Sequence, residues 1–139
     1  MREIKFRCWD NGRKVMVPYD APSITACHNY LQIHNYEGKY CKEKEGRTTI
    51  PNFELMQYTG LKDKNGNEIY DGDLLEVVYY WGEEDYAEVC WNTKRAEWRL
   101  KRKGEYYESL GSCFSDGCCV WEVIGNIFET PELLKEDEK

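Results

Sequence analysis

The chain has only two histidines, His28 and His34. Neither stands in an H-E-x-x-H frame, and no G-x-S-x-G elbow, P-loop or dinucleotide fingerprint occurs. Catalysis of the usual kinds needs one of these arrangements, so neither enzyme activity nor a cofactor is expected. There is also no run of about twenty apolar residues, which excludes a membrane-spanning helix. The first residues, Met1-Arg2-Glu3-Ile4-Lys5, alternate charge with apolar side chains and lack the apolar stretch of a secretory signal. A cytoplasmic protein is therefore expected. Positive charge is short as well: 19 Lys and Arg face 26 Asp and Glu, for a net charge of −7. That balance opposes a general phosphate-binding surface.

What the chain does have is aromatic side chains, with 11 Tyr, 5 Trp and 4 Phe. They fit a pleated, half-buried surface, so a mainly β protein is expected. At 139 residues the chain suits one domain, burying roughly two-thirds of its unfolded surface. The seven cysteines are Cys8, Cys27, Cys41, Cys90, Cys113, Cys118 and Cys119. Their odd number and irregular spacing argue against a disulfide framework. Cys113, Cys118 and Cys119 with His28 or His34 make the one set to weigh for zinc. No C-x-x-C occurs, and neighbours in a strand point to opposite faces, so thiols without metal are expected.

The segment Leu55–Val78 carries the densest signal. Asn65-Gly66 supplies the positive-φ residues of a tight hairpin turn. Asp71-Gly72-Asp73 re-aims the chain into an apolar strand from Leu74 to Trp81. Asp71 and Asp73 flanking Gly72 also form a conceivable acid pair, but Asp side chains cap turns by accepting nearby backbone N–H groups, and the turn reading is preferred. Along the strand, Leu75, Val77, Tyr79 and Trp81 form an apolar face opposite Leu74, Glu76, Val78 and Tyr80. Gly82-Glu83-Glu84-Asp85 reads as a turn. Ala87, Val89 and Trp91 then face inward, followed by Trp98 and Leu100 after a turn at Thr93–Ala96. Reversals at this spacing suit a small barrel or sandwich. Asp10-Asn11-Gly12 reads as a turn into a strand Val15–Pro18. The stretch Ser23–Tyr36 is β-prone, and Glu37–Thr49 reads as a loop. Residues 18–51 form an insertion or a second subdomain in this reading. Thr130 and Pro131 open a short C-terminal helical turn, and residues 136–139 fray.

Leu55–Val78 closely resembles the YopX family of phage and prophage proteins. The resemblance extends to Glu3-Ile4-Lys5-Phe6-Arg7 with Trp9-Asp10 as an opening strand. It also covers Glu122–Glu129 as a closing strand, followed by Pro131-Glu132-Leu133-Leu134. It implies one β-rich domain over 1–139 with a small SH3-like barrel of antiparallel strands. It implies no catalytic or ligand-binding residue.

Two binding functions remain. Lys94, Arg95, Arg99, Lys101 and Arg102, interleaved with Trp91 and Trp98, would let a hairpin hold single-stranded nucleic acid by charge and stacking. Outward Lys and Arg on a hairpin also guard a sheet edge, and that reading is preferred. The first-ranked function is a non-catalytic phage accessory module that binds a host or phage protein, because exposed Tyr and Trp dominate interface energy. The acidic groups, Glu83-Glu84-Asp85 with Glu88 and the tail Glu129–Glu138, would suit a basic partner or imitate a phosphate backbone, but solvation is the preferred reading of the tail. Self-association through open strand edges is compatible with the pattern. Neither a membrane nor nucleic acid is the expected partner.

Overall fold

A computed structural model describes residues 3–17, 24–26, 31–34, 47–50, 52–102, 105–112, 117 and 119–135. The chain divides into two compact units, Ile4–Gln57 and Met1–Glu3 with Tyr58–Lys139. It is mainly β and antiparallel throughout the described residues.

In the first unit, β1 (Phe6–Asp10) pairs with β2 (Val15–Val17) on one side. On the other it pairs with the opening half of β6 (Phe53–Lys62). Asp10 closes the β1–β2 turn where the Asp-Asn-Gly sequence predicts one: its carboxylate accepts the N–H groups of Gly12 at 2.9 Å and Arg13 at 3.1 Å. Cys8, Trp9, Val17 and Met56 are buried there. The opening strand begins at Phe6 rather than at Glu3, and Ile4 is exposed. A separate sheet in this unit orders β3 (Ile24–Ala26), β4 (Leu31–His34) and β5 (Arg47–Ile50). Most of the expected 18–51 insertion lies outside the described residues, as do residues 37–46 of the loop expected over Glu37–Thr49. The last part of that stretch, from Arg47, is strand instead, paired with β4.

The second unit is built on a five-stranded sheet. Its strands are β8 (Asp73–Tyr79), β9 (Glu84–Asn92), β10 (Glu97–Arg102), β11 (Glu105–Ser109) and β12 (Cys119–Asn126), in the order β11-β10-β9-β8-β12. The first four form a meander, as the period-two alternation predicts. The closing strand spans 119–126 rather than 122–129, and sits beside β8. Leu75, Val77, Ala87, Val89, Leu100, Leu110 and Trp121 make one core with Ile69 of β7 (Glu68–Tyr70). Burying the Leu, Val and Ile side chains of this set contributes about 1.5–3 kcal/mol each, which sets the face the sheet presents inward.

Gly72 joins β7 to β8 with φ at 83°. Its N–H donates to Val89 O at 2.8 Å, and its carbonyl accepts the Ile127 N–H at 3.0 Å. Asp73 is fully buried, and its carboxylate accepts the Tyr70 N–H at 2.7 Å. Both facts belong to turn chemistry. The last described element is a helical turn, Glu132–Lys135. Thr130 does not cap it with its side chain as its position suggested. Its hydroxyl accepts the Asn126 N–H at 3.0 Å and donates to Asn126 O at 3.1 Å, fastening the end of β12.

Candidate binding site on the five-stranded sheet

Two hairpin turns of the second unit share one hydrogen-bond pattern. In the β6–β7 turn, Gly66 N–H donates to Asp63 O at 3.0 Å, and Asp63 N–H to Asn67 O at 2.8 Å. In the β8–β9 turn, Gly82 N–H donates to Tyr79 O at 2.9 Å, and Tyr79 N–H to Glu83 O at 2.8 Å. Gly66 and Gly82 have φ of 84° and 98°. This is the three-residue loop with a left-handed closing glycine. Among the described residues the non-glycine positive φ values belong to Lys14 and Ala96. Asn65 is therefore not left-handed, contrary to the two-residue turn expected from Asn65-Gly66.

The two turns differ in what secures them. The first is held by the nearly buried carboxylate of Asp63, which accepts N–H groups from Asn65 at 2.9 Å and Asn67 at 2.8 Å, and from Val123 of β12 at 3.0 Å. Burial opposes its charge, but the donors from Val123, Asn67 and Asn65 outweigh that and hold the carboxyl below its ordinary value. Lys64 N–H also donates to Trp121 O at 3.2 Å, so this turn sits on the open edge of β12.

The second turn has no such carboxylate. It is held by rings: Trp81 stacks on Tyr79 with centroids 4.7 Å apart and planes at 17°, and meets Tyr80 edge-on at 6.5 Å. Tyr80 is 85 % exposed and Trp81 59 %. The sequence reading placed Trp81 inward at the end of β8, but the strand stops at Tyr79. The missed signal was Gly82 itself, since a closing glycine puts the two residues before it in the loop.

At the other end of β9, Trp91 and Trp98 face one another at 5.1 Å and 73°. Trp98 packs against the core, whereas Trp91 is exposed, a second departure from the inward reading. With Thr59, Leu61, Glu97 and Leu110 they line a cleft of about 430 Å³. The basic residues around it are largely committed. Arg99 Nη1 lies 2.6 Å from Glu97 Oε1, Arg102 pairs with Asp85, and Lys101 faces Glu88 across the β9–β10 register. Lys94 and Arg95 occupy the exposed turn, and their N–H groups donate to Asn92 Oδ1. The five cations are thus gathered on one hairpin, but only the turn pair stands in solvent.

Among the described residues no three His, Cys, Asp or Glu side chains cluster to hold a metal. Cys113, Cys118 and His28 lie outside them, as does the side chain of His34. No described helix is long and apolar enough to cross a membrane.

No functionally curated protein matches this chain. Among solved structures, the YopX protein of Bacillus subtilis is similar over 96% of this chain and 99% of its own, at 20% identity and a TM-score of 0.65. Protein EF1440 of Enterococcus faecalis is similar over the same shares, at 28% identity and a TM-score of 0.55. The family model described as YopX protein matches residues 5–135. The chain belongs to the YopX family.

Proposed function

We propose that this protein is a non-catalytic accessory module of phage or prophage origin, acting in the host cytoplasm by binding a partner protein. The observation that supports this reading is the β8–β9 tip, where Tyr80 and Trp81 are exposed and already ordered by ring contacts. Pre-ordered aromatic anchors lose little entropy on docking and carry most of the energy of typical interfaces. A pull-down from host cells, with and without nuclease, tests it. Nuclease-resistant recovery of one protein by the native chain, lost with Trp81→Ala, is the expected result. Recovery of the same protein by both forms removes the tip from the interface.

A second reading, single-stranded nucleic-acid binding, draws on Trp91, which is exposed next to the turn bearing Lys94 and Arg95. Stacking on Trp91 with phosphates on those two cations would suit it. The ion pairs of Arg99 and Arg102 and the net charge of −7 weigh against it.

A further inference from the structure

An asparagine followed by glycine is prone to self-modification, because the glycine has no side chain to shield its nitrogen or restrict its backbone. The sequence holds two such pairs, Asn11-Gly12 and Asn65-Gly66. The second lies exposed at the tip of the β6–β7 turn. There Asn65 Nδ2 donates to Glu122 Oε1 at 3.2 Å, and Lys64 Nζ lies 3.2 Å from Glu122 Oε2. Two consecutive turn residues thus grip one carboxylate of β12, the strand that Asp63 also holds through the Val123 N–H.

The chemistry open to Asn65 exchanges ammonia for water. The Gly66 nitrogen attacks the side-chain carbonyl carbon of Asn65, gives up its proton and closes a cyclic imide as ammonia leaves. Water then opens one of the two imide carbonyls, leaving aspartate or, with the main chain routed through the side chain, isoaspartate. The folded turn opposes ring closure. Gly66 N–H is committed to Asp63 O at 3.0 Å, and the residue before the closing glycine of a type I turn has ψ of about 0°. That angle sets the Gly66 nitrogen away from the Asn65 side chain, so the hydrogen bond must break and ψ must turn first. Reaction therefore goes through local opening, to which an exposed tip is inclined. At the other pair, the Gly12 N–H donates to the Asp10 carboxylate at 2.9 Å. Taking that proton would set a second negative charge beside the first, which makes Asn65 the more reactive of the two.

We propose that Asn65 is a self-deamidation site whose conversion releases the β6–β7 turn from β12. The product carboxylate takes the place of an amide that lay 3.2 Å from Glu122, so an attraction becomes a like-charge repulsion. Lys64 then faces the new charge as well as Glu122. Isoaspartate also lengthens the main chain between Asn65 and Gly66, which breaks the spacing that the Gly66–Asp63 hydrogen bond requires. As the turn lifts, the Lys64 N–H leaves Trp121 O and Asp63 leaves the Val123 N–H. The outward backbone groups of β12 are then free to pair with another strand.

The test ages the full chain at mildly alkaline pH, once folded and once in urea, and follows each asparagine by peptide mass mapping. Asn65 should convert in the folded chain at about a tenth of its rate in urea, with Asn11 slower than Asn65. Ion exchange then separates the converted fraction by its added negative charge. Amide hydrogen exchange at Val123 should be about tenfold faster in that fraction than in the unconverted chain. Asn65→Gln, aged in the same way, keeps an amide but closes a ring far more slowly, so its Val123 should stay protected. An Asn65 that never converts in the folded chain over many urea half-lives would overturn the proposal. Equal rates folded and in urea would do the same, since the turn would then gate nothing. Unchanged Val123 exchange in the converted fraction, or the same loss of protection in aged Asn65→Gln, would show that Asn65 does not control the release of β12.

Discussion

The carboxylate of Asp63 accepts the backbone N–H of Val123 at 3.0 Å although 60 residues separate them. The same group closes its own hairpin turn, so one side chain both shapes a loop and fastens it to a distant strand. Removing it leaves the part-buried donors of Asn65, Asn67 and Val123 unanswered at once.

Acid should therefore weaken the fold through Asp63. Its folded value lies below the ordinary 3.8, so its contribution is complete above about pH 4 and is lost as pH falls through the lower folded value. Asp63→Asn should cost about 1–3 kcal/mol at neutral pH. Urea titrations at pH 7 and pH 3 should show the gap between native and variant narrowing in acid. A constant gap would mean that the charge of Asp63 contributes nothing.

Gly125 interrupts the β8–β12 register, and a Cβ there would stand 1.9 Å from Thr130 Oγ1. Thr130 cannot retreat without releasing both its bonds to Asn126, so Gly125→Ala should cost about 2 kcal/mol or more. At Gly72 the strain is conformational, and alanine should cost about 1 kcal/mol or more. Gly111→Ala, whose Cβ would meet only an ordinary contact at 3.9 Å, is the control. Similar melting temperatures for all three would contradict the geometry described for both sites.

Single-stranded oligonucleotide should bind negligibly even at about 50 mM salt, where phosphate contacts are strongest. Arg99 is held by Glu97 and Arg102 by Asp85, so recruiting them to a phosphate means breaking an existing pair. A mobility-shift titration measures this. Tight, salt-sensitive binding that Lys94→Ala/Arg95→Ala abolishes would promote nucleic acid to the leading reading.

Cys8 should resist alkylation in the native protein. Burial, reinforced by the charges of Asp10 and Glu54, pushes its thiol up to about 12, and the thiolate is the reactive form. Iodoacetamide at pH 8 followed by peptide mass mapping should label Cys8 only after denaturant is added. Rapid native labelling would place Cys8 on an accessible edge.

The alternation of the sequence made β8, β9 and β10 readable, together with core positions such as Val77, Val89 and Leu100. It misplaced Trp81 and Trp91 for one reason: period two tells which face a side chain takes, but not where along a strand the covering layer ends. Both tryptophans lie beyond that limit. The pairing of β12 with β8 joins segments about 45 residues apart, and no local pattern encodes it. The role of Asp63 was hidden likewise, since half of it depends on Val123.

The turn that carries Asp63 and Lys64 also governs how copies of this sheet can associate. It occupies the outward backbone groups of Trp121 and Val123, so strand addition at β12 is blocked. A five-stranded sheet with one end stoppered cannot be extended in both directions. If chains ever join by strand pairing through this sheet, they must meet at their β11 ends, and the sequence of additions stops at two members, which protects the protein from filament growth by that route.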